Sequence, residues 1–159
     1  MISLTPLIRH LAPKPAWFAH NWFRQVAGAA EFAQVRPEVL PLPACWIIRA
    51  ADQVRHAGER AENVTLVFDT VIAVQNARNH KPGDTDDLLL QYRHAVKTLL
   101  LGWEIASNVR PIAFAGGRML EYTDGDMYWA DRYQFDALIT NYLPDPGAFD
   151  QIINAGELL

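Results

Sequence analysis

Histidine and cysteine are the residue types in this chain that could bind a transition metal or act as nucleophile and base. The histidines are His10, His20, His56, His80 and His94, and the one cysteine is Cys45. No two histidines have the HExxH or HxH spacing that brings two imidazoles onto one ion, and a lone cysteine supplies no pair of thiolates. The pattern therefore favours surface and helix-face histidines, with no metal and no cofactor.

Four aspartates near the end of the chain raise the possibility of paired acid catalysis. They are Asp124, Asp126, Asp131 and Asp136. A hydrolase of this kind needs two carboxyl groups that converge at a fixed separation. Asp131 and Asp136 are an odd number of residues apart, so in a strand their side chains point to opposite faces. A turn followed by solvated strand positions is the favoured interpretation. A small hydrolase that uses Asp131 or Asp136 with a histidine is kept as the weaker alternative.

A glycine pair and the single cysteine could suggest phosphate binding and nucleophilic catalysis, but a structural role fits each of them better. Gly116-Gly117-Arg118 lacks both the GxGxxG spacing and the Lys-Ser/Thr of a phosphate-binding loop, so a bulge or bend in a strand is expected. Cys45 stands in an apolar run beside Trp46, where burial would raise the pKa of a thiol. We expect it to be a core residue, and no catalytic residue is assigned.

Length and charge exclude several classes of protein. The chain has 159 residues and a net charge of −4, with 50% apolar residues. This is enough for one domain with its own core and too acidic for stable nucleic-acid binding. No secretory or membrane-spanning apolar run is visible, and a single cysteine suits a reducing compartment. We expect a soluble protein made inside the cell, with no membrane partner.

The first third of the chain predicts short elements. Residues 3–11 carry a helical apolar stripe, with Ser3 or Thr5 as N-cap, and 20–27 are interpreted as a strand. A short amphipathic helix follows over 29–35. A buried strand is expected over 44–48, and a polar loop around 52–62.

The remaining chain gives stronger signals. Apolar residues alternate with polar ones along Val64–Gln75, which predicts a long, half-buried strand. A helix with Asp84 or Thr85 as its N-cap should end at Gly102. Two apolar segments over 112–122, a turn containing Asp124-Gly125 and a long alternating run over Met127–Tyr142 predict a β-hairpin.

Together these elements predict an α+β fold, with one mostly antiparallel sheet, long projecting strands and helices packed on one face. Residues 1–143 should form a single domain, and 144–159 a C-terminal extension.

Strands as long as 64–75 and 127–142 would reach past a compact core, and such strands commonly pair with or pack on a partner chain. We therefore interpret the chain as an assembly protein. The candidate oligomer or tail-interface residues on these strands are Phe68, Thr70, Trp129, Asp131, Arg132, Tyr133 and Phe135.

Several stretches, in this order, carry a resemblance to a known family across about residues 30–143. They are Leu42–Ile48, Val71–Arg78, the acidic-capped helix ending in Leu100-Leu101-Gly102-Trp103, Phe114–Leu120 and Tyr128–Phe135. Their succession resembles the tail terminator proteins of long-tailed phages and prophages, the family that includes the minor tail protein U type. The opening helix also fits this family, whereas the residues after Pro144 match nothing in it.

The resemblance implies a structural virion protein at the neck-proximal end of the tail, assembled in the host cytoplasm. It implies a ring, usually of six copies, that caps the tail tube, stops its polymerisation and presents a surface to neck or head-completion proteins. The tail tube protein, and the sheath where there is one, would be partners, and the genome would pass through without specific binding. Another head-tail joining or tail-completion protein is the alternative.

Overall fold

The computed structural model describes residues 2–34, 41–58, 60–75, 83–122 and 125–140. The predictions for Val35, for Thr123-Asp124 in the turn and for everything after Thr140 lie outside these residues. The elements are α1 Thr5–Leu11, β1 Gln25–Ala27, α2 Ala29–Ala33, β2 Ala44–Ala57, β3 Ala61–Gln75, α3 Asp84–Leu100, β4 Ala113–Tyr122 and β5 Asp126–Thr140.

The described strands form one five-stranded sheet in the order β1-β2-β3-β5-β4. The β2–β3, β3–β5 and β5–β4 pairs are antiparallel, and the short β1 pairs with β2 in parallel. β3 and β5 each have 15 residues and are paired along their whole length. The α+β class, the mostly antiparallel sheet, the long strands and the β4–β5 hairpin are therefore confirmed.

Side chains pack on both faces of this sheet. The main face, defined by Phe68 and Ile72 of β3, carries the larger core, and α1 and α3 pack on it through Leu7 and Val96. The second face, defined by Val71 of β3, carries a smaller cluster.

The helices are consequently not confined to one face. Phe32 of α2 lies on the second face, with its ring centroid 5.2 Å from that of Trp46. β3 is also buried on both faces from Val64 to Val74, rather than on one. The alternation predicts the strand correctly. Because β3 is the central strand of the sheet, its polar side is buried as well.

The expected polar loop around 52–62 is wrong, because β2 continues to Ala57 and β3 begins at Ala61. All residues from Arg49 to Ala57 are exposed, so buried and exposed side chains do not alternate along this segment. Backbone pairing to β3 extends this part of β2, with Gln53 opposite Thr65 as one example. A strand held by its neighbour's backbone needs no buried face of its own, and for that reason the sequence pattern did not reveal it.

The strand expected over 20–27 is limited to Gln25–Ala27. The aromatic residues before it form a packed cluster on α3 instead. Phe18 and Phe23 lie with their ring centroids 5.2 and 5.0 Å from that of Tyr92. Trp22 Nε1 donates a hydrogen bond of 2.7 Å to the carbonyl of Leu11, which ties this cluster to the end of α1.

The central helix differs from expectation at its start and agrees at its end. α3 begins at Asp84 with Gly83 as N-cap, so neither Asp84 nor Thr85 caps it. It ends at Leu100, and Gly102 follows with a φ of 78°, the left-handed conformation that terminates helices. The predicted start of α1 is likewise shifted, since its N-cap is Leu4.

We expect Phe135→Ala to lower the stability of the free subunit by about 3–5 kcal/mol, because it removes a buried aromatic ring from the main face. Phe135 is 2% exposed, and its ring centroid lies 6.2 Å from that of Phe68. Urea unfolding measures the effect. Met119→Ala, at a residue 54% exposed, is the control and should change stability by no more than about 0.5 kcal/mol. Equal effects of the two changes would contradict the core role of Phe135.

Candidate functional site

A buried ion pair joins α3 to the middle of the sheet. The Asp131 side chain, on the main face of β5, is 0% exposed, and the side chain of Arg93 on α3 is 18% exposed. Arg93 donates to both carboxylate oxygens of Asp131, from Nε to Oδ2 and from Nη2 to Oδ1, each at 2.9 Å. Trp129 Nε1 donates a third bond of 2.9 Å to Oδ1. The guanidinium carbon of Arg93 also lies 4.3 Å from the centre of the Trp129 ring.

Gly117 of β4 makes room for this pair, and Gly116 beside it allows a bulge in the strand. The register of β4 against β5 shifts between Phe114 and Gly116, and Gly116 has a φ of 127°, so the predicted bulge is confirmed. A Cβ atom on Gly117 would lie 2.3 Å from Asp131 Oδ1 and 2.8 Å from Trp129 Nε1. Only glycine lets the backbone of β4 approach the buried carboxylate this closely.

A second ion pair lies on the opposite face of the sheet. Asp69 of β3 is 7% exposed and accepts hydrogen bonds of 2.8 and 3.1 Å from Arg132 of β5. These bonds and the charge of Asp69 raise the pKa of Arg132. Arg118 of β4 reaches the same carboxylate at 3.6 Å. Three neighbouring strands, β3, β5 and β4, are thereby joined by charge on the second face.

The structure divides the seven predicted interface residues into two groups. Five of them are at most 2% exposed and belong to the interior of the subunit: Phe68, Thr70, Asp131, Tyr133 and Phe135. The Arg132 side chain is 41% exposed on the second face, and Trp129 is partly buried beside Arg93. The alternation that marked these strands selects the core-facing side chains, so most of the residues proposed from it have no surface to offer a partner in this fold.

Asp131 and Asp136 lie on opposite faces of β5, as their spacing predicted. The side chain of Asp136 is 50% exposed, accepts a hydrogen bond of 2.6 Å from Thr65 Oγ1 and lies 3.8 Å from Arg55. It lines an open cleft of about 760 Å³ between the β2–β3 hairpin and residues 104–110, with His56 nearby. The two carboxylates therefore do not converge on one substrate position.

In the part of the chain that the structure describes, no group of three or more His, Cys, Asp or Glu side chains is arranged to hold a metal ion. Over the same residues, no helix combines the length and the apolarity required to cross a bilayer.

Burial controls the titration of three groups near the ion pairs. It raises the pKa of the Cys45 thiol from 9.0 to about 12, with a smaller contribution from the charge of Asp131. It also raises the pKa of Tyr133, again with Asp131 contributing, and that of Tyr128 to about 12, with Asp126 and Glu121 contributing. Cys45 is therefore an unreactive core thiol, as its sequence context indicated.

Sequence reasoning missed Arg93, although a signal was available. Leu89 and Val96 are four residues before and three residues after it, so Arg93 belongs to the apolar side of α3. A charged residue at such a position needs a buried partner of opposite charge. Among the described residues, β4 and the outer half of β2, residues Arg49–Ala57, each have a backbone edge without a strand partner. These edges were also missed, because edge positions depend on strand order.

The fold and its charged groups define a class of protein: an α+β domain with one buried carboxylate paired on each face of its sheet. Comparison with known families makes the assignment specific. The family described as "Phage tail terminator protein" matches residues 9–142, so the chain belongs to the phage tail terminator family. It is accordingly a structural component of a phage tail and thus of the virion, in a family of structural proteins rather than enzymes. A search of the curated proteins finds no match.

We expect Arg93→Met to destabilise the subunit by about 3–5 kcal/mol, because it leaves the carboxylate of Asp131 buried and unpaired. Arg118→Met is the matched control. The side chain of Arg118 is 53% exposed, and Asp69 keeps Arg132 as a partner, so this change should cost no more than about 1 kcal/mol. Urea unfolding of both variants measures the difference. A loss at Arg93 no larger than at Arg118 would show that the buried pair is not a main tie between helix and sheet.

The raised pKa of Cys45 predicts that stability falls at alkaline pH. Above pH 9 the unfolded chain releases the thiol proton while the folded chain retains it, so unfolding becomes more favourable as pH rises toward 12. One such group contributes a slope of up to about 1.4 kcal/mol per pH unit. Urea midpoints between pH 8 and 10.5 should therefore fall more steeply for the wild type than for Cys45→Ala. Parallel slopes would contradict this role of the thiol.

Proposed function

We propose that the chain is the subunit of a homohexameric ring that caps the tail tube, stops tube polymerisation and presents a surface to neck or head-completion proteins. The family match supports a role at the tail, and the observation that carries the ring is that, among the described residues, one sheet has two different edges without a strand partner. Two non-identical surfaces on one subunit suit a head-to-tail contact, which closes into a ring when the rotation allows it.

The charge of the chain supports passage of DNA without specific binding. The formal net charge is −4 per subunit, so six copies would carry six times that value, −24. A ring with an acidic field repels a polyanion rather than retaining it.

The placement of the candidate residues refines the proposed interface. The five buried candidate residues pack inside the protein and stabilise the sheet. Trp129 and Arg132 retain accessible surface, and each also holds a buried aspartate through Asp131 or Asp69. We propose that ring contacts involve the exposed edge strands, with these ion pairs keeping the strands rigid.

Tube-length control tests the proposal. Tail tube protein polymerised alone should form tubes of unlimited length, and addition of this protein should give tubes of bounded length with a ring at one end. Electron microscopy measures both lengths and ring symmetry. Unregulated tubes without rings would contradict the proposal. Labelled protein found in particles at the head vertex but absent from the tube end would favour the head-tail joining alternative.

A further inference from the structure

The two open edges of the sheet fit one another, and we infer that β4 of one copy pairs antiparallel with residues Arg49–Ala57 of β2 in the next copy. The inference rests on the proposed ring and specifies its contact. Its occupant is a second copy of this chain, and its chemistry is backbone hydrogen bonding between strands with apolar side chains on the main face.

The first edge is β4, which is the last strand of the sheet. Within the described residues its only strand partner is β5, so its outer backbone groups are available. β4 has 10 residues, and large apolar side chains are exposed on it at Phe114, Met119 and Leu120, which are 37%, 54% and 42% exposed. A long exposed strand with apolar side chains is a template for pairing with another chain.

The second edge is the outer half of β2. β1 pairs with β2 only at Ala44, Cys45 and Trp46, and among the described residues no strand lies beside Arg49–Ala57 on that side. This segment is exposed along its whole length and is nearly as long as β4. Val54 within it is 57% exposed.

Strand directions make these two edges compatible. Three successive antiparallel pairs separate β2 from β4, so the two edge strands of one subunit run in opposite directions. Rotation of a second copy about a ring axis preserves the direction of every strand relative to that axis. It therefore places the β2 edge of one copy antiparallel to the β4 edge of its neighbour, which continues the antiparallel sheet.

The side chains fit the same arrangement. Residues that pair across strands share a face, so Met119, opposite Trp129, lies on the main face, and Phe114, opposite Tyr133, does too. Val54 of β2 lies opposite Val64 and is on the main face as well. Because rotation keeps the main faces of neighbouring sheets on the same side, these exposed apolar side chains meet in the contact.

The size of the contact predicts when it forms. A strand of ten residues is about 33 Å long and, with its side chains, about 10 Å wide, so one contact buries roughly 300 Å² per subunit. A stable pair of proteins needs about 800 Å² per partner. One edge contact is too small to hold two free subunits together, so subunits should join when the ring closes on a tube.

Disulfide trapping tests the pairing. Met119 is on the main face, as are Asp52, opposite Leu66, and Val54. Met119→Cys combined with Asp52→Cys or with Val54→Cys should give disulfide-linked multimers up to a closed ring when assembled on tubes and oxidised. Within one subunit β2 and β4 are three strand spacings apart, about 14 Å, which is too far for a disulfide.

The control pair is Met119→Cys with Gln53→Cys, because Gln53 lies opposite Thr65 on the second face. It should give at least about tenfold less crosslinked product, since its side chain points away from Met119. Dimers formed by Met119→Cys alone would indicate β4 pairing with β4 and overturn the inference. If rings form on tubes but neither Met119→Cys with Asp52→Cys nor Met119→Cys with Val54→Cys is crosslinked, the inferred strand pairing is overturned. The proposed ring would still be supported.

Hydrogen exchange of the wild-type protein provides a second measurement that needs no substitution. Outward amides of residues 113–121 and 49–57 should exchange freely in the subunit and at least about tenfold more slowly in the ring. Protection of only one of the two segments would point to a tube-protein strand as the occupant and overturn the inference. Failure to form any ring on tubes would instead contradict the proposed function itself.

Discussion

The carboxylate of Asp131 is the constraint on which much of this structure depends. A fully buried charge is tolerated only when it is paired and hydrogen-bonded. Arg93 and the Trp129 indole supply those bonds, and this fixes α3 above β5. The same requirement explains Gly117, since any larger residue would push β4 away from the carboxylate. One charge thus sets the positions of a helix and two strands.

The second face has a similar arrangement, in which Arg118 and Arg132 pair with the carboxylate of Asp69. The second-face ion pairs join β3, β5 and β4, and the main-face pair joins β5 to α3, although β4 itself is exposed along most of its length. An edge strand that is rigid before binding loses little conformational entropy on pairing, which favours association. The paired charges can therefore support an assembly role without touching the partner.

A phage tail terminator of this construction separates two tasks. The core and its ion pairs give each chain a defined sheet, and in the proposed ring the edges of β4 and β2 that have no strand partner among the described residues would contact neighbours. The predicted interface residues belong mostly to the first task, because their side chains on the long strands β3 and β5 form the core. The inward side chains of these strands are buried, so the proposed contacts use the strand edges instead.

The residue pattern alone predicts the α+β class, the long strand over 64–75, the β4–β5 hairpin, the buried Cys45 and the bulge at Gly116-Gly117. It also carried the family resemblance that the match over residues 9–142 confirms. The structural features follow from local periodicity, composition and turn motifs, whereas the resemblance follows from the order of several matching stretches. The three-dimensional fold was needed to show that Arg49–Ala57 is a strand, that α2 packs on the second face and that Arg93 pairs with Asp131. It was also needed to show which edges of the described sheet have no strand partner. Those outcomes depend on which strand lies beside which, and backbone pairing between distant residues leaves no periodic trace in the sequence.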